Sequence, residues 1–180
     1  MKALKIMLIV VVAAVLISAF GMWKVGLFQK LEFTTQEIGP ISMVYVEHTG
    51  PYQKIGEKFD QVAKYLDENK IKYTQGIGEY LNSPQEVKQE DLKSNAGFIV
   101  DKPVKNLKEP FKFKTFEKKL YLTTSFKGSP AIGPFLVYPK STAWMTQNNY
   151  ELNGSCCELY KDKNGNNMTT EYLFGVAKKK

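Results

Sequence analysis

The chain has 180 residues, 43% of them hydrophobic and 13% aromatic, enough for one well-filled core. Its formal net charge of +7 comes from 25 basic residues, every one of them Lys. Arg is the usual donor for bidentate phosphate and guanine contacts, and no nucleic-acid motif accompanies the lysines, so the charge does not point to nucleic acid.

The first element is apolar. From Ile6 to Trp23 no residue is charged, a run about long enough to cross a bilayer core as a helix. Lys2 and Lys5 precede it, and Trp23 and Lys24 close it as interface residues. Residues 1–24 are therefore expected to be a membrane anchor. A cleaved signal peptide, cut near Ala19-Phe-Gly21, is the alternative; the length of the run and the bulky Phe20 and Met22 speak against it. Lys24 and Lys30 nearly balance Lys2 and Lys5, leaving a weak bias toward an inside N-terminus and an extracytoplasmic soluble domain. Residues 25–36 read as a juxtamembrane connector, and the soluble domain is placed at 37–178.

Within that domain the chain repeats itself after about eighty residues. Val44 and Val46 alternate with Tyr45 and Glu47, the pattern of a half-buried strand that Gly50-Pro51 breaks. Ile55, Phe59, Val62, Ala63 and Leu66 then recur at helical spacing up to Asn69. A short strand, Ile77 to Leu81, stops at Asn82-Ser-Pro84, and Ala96 to Val100 is another. The second copy has a strand at Leu120 to Phe126, a break at Gly128-Ser-Pro130 and a helix ending at Asn148. Strands at Cys156 to Tyr160 and Thr170 to Val176 follow, separated by a turn at Asn164-Gly165. Phe59 matches Tyr138, Ala63 matches Thr142, Tyr65 matches Trp144, Leu66 matches Met145 and Asn69 matches Asn148. Pro139 departs from its copy and predicts a kink or a late helix start. The repeats span 37–101 and 119–177. The Lys-rich stretch 102–118, interspersed with Glu109 and Glu117, reads as a solvated linker.

Two units are too few for a solenoid. Two pseudo-symmetric β-α-β-β repeats predict an α+β domain, with a largely antiparallel sheet and both helices on one face. Alternation puts Val44, Val46, Leu120, Leu122, Cys157 and Leu159 under the helices. The opposite face would then carry Tyr45, Tyr80, Tyr121, Thr123, Glu158 and Tyr160, an aromatic cage around one carboxylate. Tyrosine faces attract cations, and a carboxylate among rings favours pairing or a raised pKa. Cross-strand packing is the plainer role for the tyrosines. Trp144, on the helix, reads as core or rim before ligand platform.

The remaining polar residues carry less. Adjacent Cys156 and Cys157 point to opposite faces of a strand, which strains a bond between them, and no His or Cys group completes a zinc set. His48, the single histidine, reads as a structural strand-end residue, since no nucleophile with an oxyanion loop stands near it in sequence. No phosphate loop or metal cluster is visible, and no cofactor is expected. Asn153-Gly-Ser155 and Asn167-Met-Thr169 fit glycosylation sequons, meaningful only in a secretory eukaryotic setting.

At four places in order the chain resembles the GyrI-like small-molecule-binding family, which includes effector-binding domains of AraC- and MerR-type multidrug regulators and a gyrase inhibitor. The motifs are Val46-Glu-His-Thr-Gly-Pro-Tyr52, Gly78-Glu-Tyr-Leu-Asn-Ser-Pro84, Phe126-Lys-Gly-Ser-Pro130, and Glu158-Leu-Tyr-Lys-Asp162 followed by Thr170-Glu-Tyr-Leu-Phe174. The resemblance covers about Ile38 to Ala177. It implies two halves with a cleft between them, and an acidic residue, at the place of Glu158, that meets cationic or amphipathic ligands. Some relatives hydrolyse small electrophiles with a Tyr and Glu pair. The chain departs from the regulators in lacking a helix-turn-helix, with a membrane helix in its place. A membrane-anchored version in an animal autophagy receptor keeps a scaffold role open. The expected function is thus a membrane-tethered module that captures a small cationic or amphipathic ligand through Glu158, Tyr45, Tyr80, Tyr121, Tyr160 and Trp144. The alternatives are a hydrolase of small electrophiles and a scaffold for a peptide or protein.

Overall fold

The computed structural model describes residues 2–161 and 168–179. The turn expected at Asn164-Gly165 and the sequon asparagine Asn167 lie outside the described residues. The N-terminal helix α1 (Lys2–Lys24) is apolar all round, no residue of Lys5–Lys24 is buried, and that stretch is long and apolar enough to cross a membrane. A signal sequence would meet the same description. It ends where Gly26 takes φ +85° and the amide of Leu27 reaches back to the Met22 carbonyl, the left-handed cap in which glycine avoids a Cβ clash.

The domain that follows contains strands β1 (Thr34–Ile38) and β2 (Ile41–Thr49), helix α2 (Gly56–Glu68), and strands β3 (Gly76–Tyr80), β4 (Lys93–Ile99) and β5 (Lys112–Phe116). Strand β6 (Lys119–Gly128), helix α3 (Gly133–Gln147), and strands β7 (Tyr150–Lys161) and β8 (Met168–Lys178) complete it. All eight strands form one antiparallel sheet in the order β1-β6-β8-β7-β3-β4-β2-β5. That order is symmetric about the β7–β3 seam. Each half is a β-α-β-β unit, β2-α2-β3-β4 or β6-α3-β7-β8, with one extra edge strand. The helices end alike: the Asn69 amide donates to the Tyr65 carbonyl and the Asn148 amide to that of Trp144, both at 2.8 Å. Leu66 and Met145, matched by the repeat, are both buried. Helix α3 begins at Gly133, ahead of Pro139, which therefore sits inside it instead of delaying its start.

β5 falls inside the stretch expected to be a linker. Its Lys112 and Lys114 alternate with Phe113 and Thr115, and the charge density hid a strand of period two. The edge strands also force the sheet to curl. β1 and β2 lie six strand spacings apart, about 29 Å if flat. Only Gly39 and Pro40 join them, a reach of at most about 11 Å. The bend closes around an inner core of Met43, Ile77, Tyr121, Cys157, Leu159 and Leu173, against which both Ile38 of β1 and Phe116 of β5 pack.

Both helices lie on the outer face. α2 covers Val44, Val46, Phe98 and Val100; α3 covers Leu122, Cys156, Tyr172 and Phe174. The register links these residues through Phe98, Gly76 and Tyr160, and through Ala96, Gly78, Glu158 and Tyr172. Glu158, Tyr160 and Tyr80 therefore share the helix side, contrary to the expectation that they face away from it. Cys157 and Leu159, expected under the helices, point into the curl. Cys156 to Leu159 are buried without a break, so hydrophobic alternation could not tell which parity faced which layer.

Candidate functional site

The site sits on the seam between the halves. There Gly76 pairs with Tyr160 and Gly78 pairs with Glu158. In the repeat Gly78 and Glu158 are equivalent positions, as are Tyr80 and Tyr160, so the pseudo-twofold passes between a glycine and a carboxylate. A second glutamate at position 78 would oppose two like charges across one strand pair, a destabilising arrangement. The glycine also clears the floor. A Cβ on Gly78 would lie 3.2 Å from the hydroxyl oxygens of both Tyr80 and Tyr160.

Glu158 is 3% exposed and is held from two sides. The Tyr138 hydroxyl, delivered by α3, donates to its Oε1 at 3.0 Å, and the Tyr160 hydroxyl donates to Oε2 at 3.1 Å. The Tyr80 and Tyr160 hydroxyls are 2.7 Å apart. Burial pushes the Glu158 carboxyl up to about 7, against the pull of the two hydroxyl hydrogen bonds. The same burial raises the phenols of Tyr80, Tyr138 and Tyr160, so at neutral pH all three are protonated donors. It also raises the Cys156 thiol and pushes Cys157 up to about 12, which keeps both sulfurs protonated and unreactive.

Aromatic walls rise around the carboxylate. Tyr52 meets Tyr80 edge-on at 4.8 Å, fixed by its hydroxyl donating to the Asn82 carbonyl at 2.9 Å. Phe59 of α2 meets Tyr160 edge-on at 5.4 Å, and Tyr138 of α3 meets Phe174 edge-on at 5.3 Å. The result is a cleft of about 1860 Å³ between α2 and α3, lined by Tyr52, Phe59, Tyr80, Tyr138, Glu158 and Tyr160 among others. Concave, largely aromatic clefts with one placed polar group suit small organic ligands.

Of the six residues expected to form the site, the structure gathers three: Glu158, Tyr80 and Tyr160. Tyr45 and Tyr121 belong to the inner core, separated from Glu158 by the sheet. Trp144 stacks on Tyr150 at 5.6 Å and packs on the α3 core, away from the cleft lining. In their place stand Tyr138, Tyr52 and Phe59. Phe59 and Tyr138 are matched by the repeat, and an aromatic conserved in place between two internal copies was the available signal. Tyr52 carried none beyond its place after Gly50-Pro51. His48 is buried with Nε2 3.1 Å from the Pro51 carbonyl oxygen, where it ties the strand end. Among the described residues, no group of three His, Cys, Asp or Glu side chains could hold a metal ion.

A second buried carboxylate was not anticipated. Glu79, next to Gly78, points to the inner face and is 5% exposed. Its Oε2 pairs with Lys114 and accepts from the Asn95 amide at 2.5 Å, while Oε1 accepts from the Ser155 hydroxyl at 2.8 Å. Lys114 also lies over the rings of Tyr45 and Phe116, 4.7 and 4.8 Å from their centroids.

Three solved structures share the fold. The EcmrR C-terminal domain superposes with a TM-score of 0.67 at 21% identity, covering 83% of this chain and 99% of that one. SAV2435, bound to tetraphenylphosphonium, gives 0.59 at 12% identity over 81% of this chain and 94% of its own. A hydrolase from Listeria innocua gives 0.56 at 13% identity over 81% and 92%. None of the curated proteins compared with the sequence matches it. The model of the GyrI-like small molecule binding domain matches residues 31–177. With the two-halved sheet, the seam cleft and most of its length covered by that match, the chain belongs to the GyrI-like small-molecule-binding domain family.

Proposed function

We propose that the protein is a membrane-tethered receptor for a lipophilic organic cation, held in the seam cleft with Glu158 as its counter-ion. One observation carries this reading: a buried carboxylate opens onto an aromatic cleft and is given only tyrosine hydroxyls. Among the described residues no lysine is paired with Glu158. A carboxylate dried without a cation is costly, and an entering cation would remove that cost. The ring faces add attraction of their own. The tetraphenylphosphonium held by SAV2435 has the same chemistry and is the natural first probe. The tether is α1, and its length and composition support it.

The test is calorimetric titration of tetraphenylphosphonium into the wild type and Glu158→Gln. Gln keeps size and one acceptor but not the charge. Removing a charge-assisted contact in a desolvated site is expected to weaken binding by about 1–3 kcal/mol. Equal affinities, or no binding by either protein, would sink the proposal.

One feature favours a second reading. A carboxyl near 7 beside protonated phenols is an acid–base pair, and it would suit hydrolysis of a small electrophile. Turnover of an activated ester or lactone by the wild type, lost in Glu158→Gln, would favour it.

A further inference from the structure

The connector after α1 is docked, not loose. The Val25 carbonyl accepts from the Ser129 amide at 3.3 Å. Beyond the Thr34–Thr123 pair no described strand pairs with the outer edge of β6, and Gln29 occupies it. The Gln29 amide nitrogen donates to the Ser125 carbonyl at 3.0 Å, and its oxygen accepts from the Lys127 amide at 2.7 Å. The Phe126 ring is wedged between the connector and α3: a Cβ would sit 2.7 Å from it at Gly26 and 3.0 Å from it at Gly133. The end of α1 is therefore held one aromatic ring away from the start of α3.

That start lines one end of the cleft. Pro130, Ala131, Pro134 and Phe135 line it there, and Phe135 is 74% exposed. Leu27 and Phe28, on the connector itself, are exposed as well. These three lie at the connector end of the molecule, and exposed Lys24, Lys30 and Lys127 stand among them. Exposed apolar side chains interleaved with lysines suit the boundary of an anionic bilayer.

We propose that this end of the domain rests on the bilayer surface, with Phe135, Leu27 and Phe28 dipped into the interface, so that the cleft takes its amphipathic ligand laterally from the membrane. The proposal rests on the reading of α1 as a membrane anchor. A rigid junction makes the orientation specific, because a docked connector fixes which face of the domain meets the lipid. The sequence of events is partition of a lipophilic cation into the interface, then transfer past Phe135 and Pro134 to the aromatic walls and Glu158.

The test uses the full chain in vesicles of phosphatidylcholine and phosphatidylglycerol. Phe135→Cys carries an environment-sensitive fluorophore, with Gln85→Cys, exposed at the opposite end of the strands, as its counterpart. The native thiols of Cys156 and Cys157 are buried and do not compete for label. Flotation with the vesicles, and quenching by shallow nitroxide-labelled lipids that is several-fold stronger at position 135 than at position 85, is the expected result. A chain that floats but shows equal or no quenching at position 135 overturns the docking proposal and leaves the anchor standing. That second pattern is also what a protein–protein contact at this patch would give. A chain that does not float overturns the anchor reading and this proposal with it.

Discussion

Glu79 and Glu158 are two buried carboxylates on neighbouring strands at the same seam, and the sheet separates them. On the inner face Glu79 has a lysine, an amide and a hydroxyl, all supplied by the fold. On the outer face Glu158 has two phenols and, among the described residues, no cation. The inner pair closes a core that no helix covers, where an unpaired charge would be expensive. The outer carboxylate is left short of positive charge where the cleft admits something from outside. The difference teaches that burial alone does not mark a functional acid. The mark is burial with an incomplete set of partners and a route in.

The largest effect that would break this contrast is on the inner side. Lys114→Met strips Glu79 of its cation while keeping the aliphatic stem over Tyr45 and Phe116, and should cost about 3 kcal/mol in chemical denaturation at pH 7. A neutral result would make the inner pair dispensable and the comparison empty.

Glu158 should behave in the opposite sense. Its carboxyl stands near 7 in the folded chain against 4.5 as the ordinary value, so its neutral form is favoured by folding. The stability this lends is complete below about pH 4.5 and is lost as pH rises to 7 and beyond. Denaturation of the wild type and Glu158→Gln across pH 4 to 8 should therefore show the variant gaining on the wild type, by up to about 3 kcal/mol at the top of the range. Parallel curves would mean that Glu158 is hydrated or paired.

Ligand binding sharpens the same point. A cation needs the ionised carboxylate, so affinity for tetraphenylphosphonium should rise about tenfold from pH 6 to pH 8 and be flat in Glu158→Gln. Protons released on binding, read from calorimetry in buffers of different ionisation heat, provide the check. The smallest change is expected from Tyr160→Phe, which removes one of the two hydroxyl donors. It should move the Glu158 carboxyl further up in a carbon-detected NMR titration and weaken cation binding by about 1 kcal/mol. A carboxyl that does not move would show that Tyr160 gives it no support.

Much of the fold was legible. The two helices, their asparagine ends, the paired glycine breaks and the aliphatic first helix are local patterns, and local patterns survive in a sequence. Tyr80 and Tyr160 could be singled out because they recur at equivalent places in two copies, and Glu158 because the family resemblance puts an acidic residue there. The face they occupy could not, since a strand buried on both sides shows no alternation to read. β5 was hidden by the charge density of its lysines, and Glu79 by having its partners on three other strands.

What the sequence determined by itself is therefore the order of the repeated elements and the asymmetry of the seam, a glycine in one copy where the other has a glutamate. Only the tertiary structure decided that two-residue links between distant strands curl the sheet. The curl commits one face to an inner core that takes Tyr45, Tyr121 and Glu79, and leaves the seam on the outer face between two helices. The physical reason is range. Helix periodicity and turn chemistry act over a few residues, whereas strand order and curvature are settled by contacts between residues far apart in the chain.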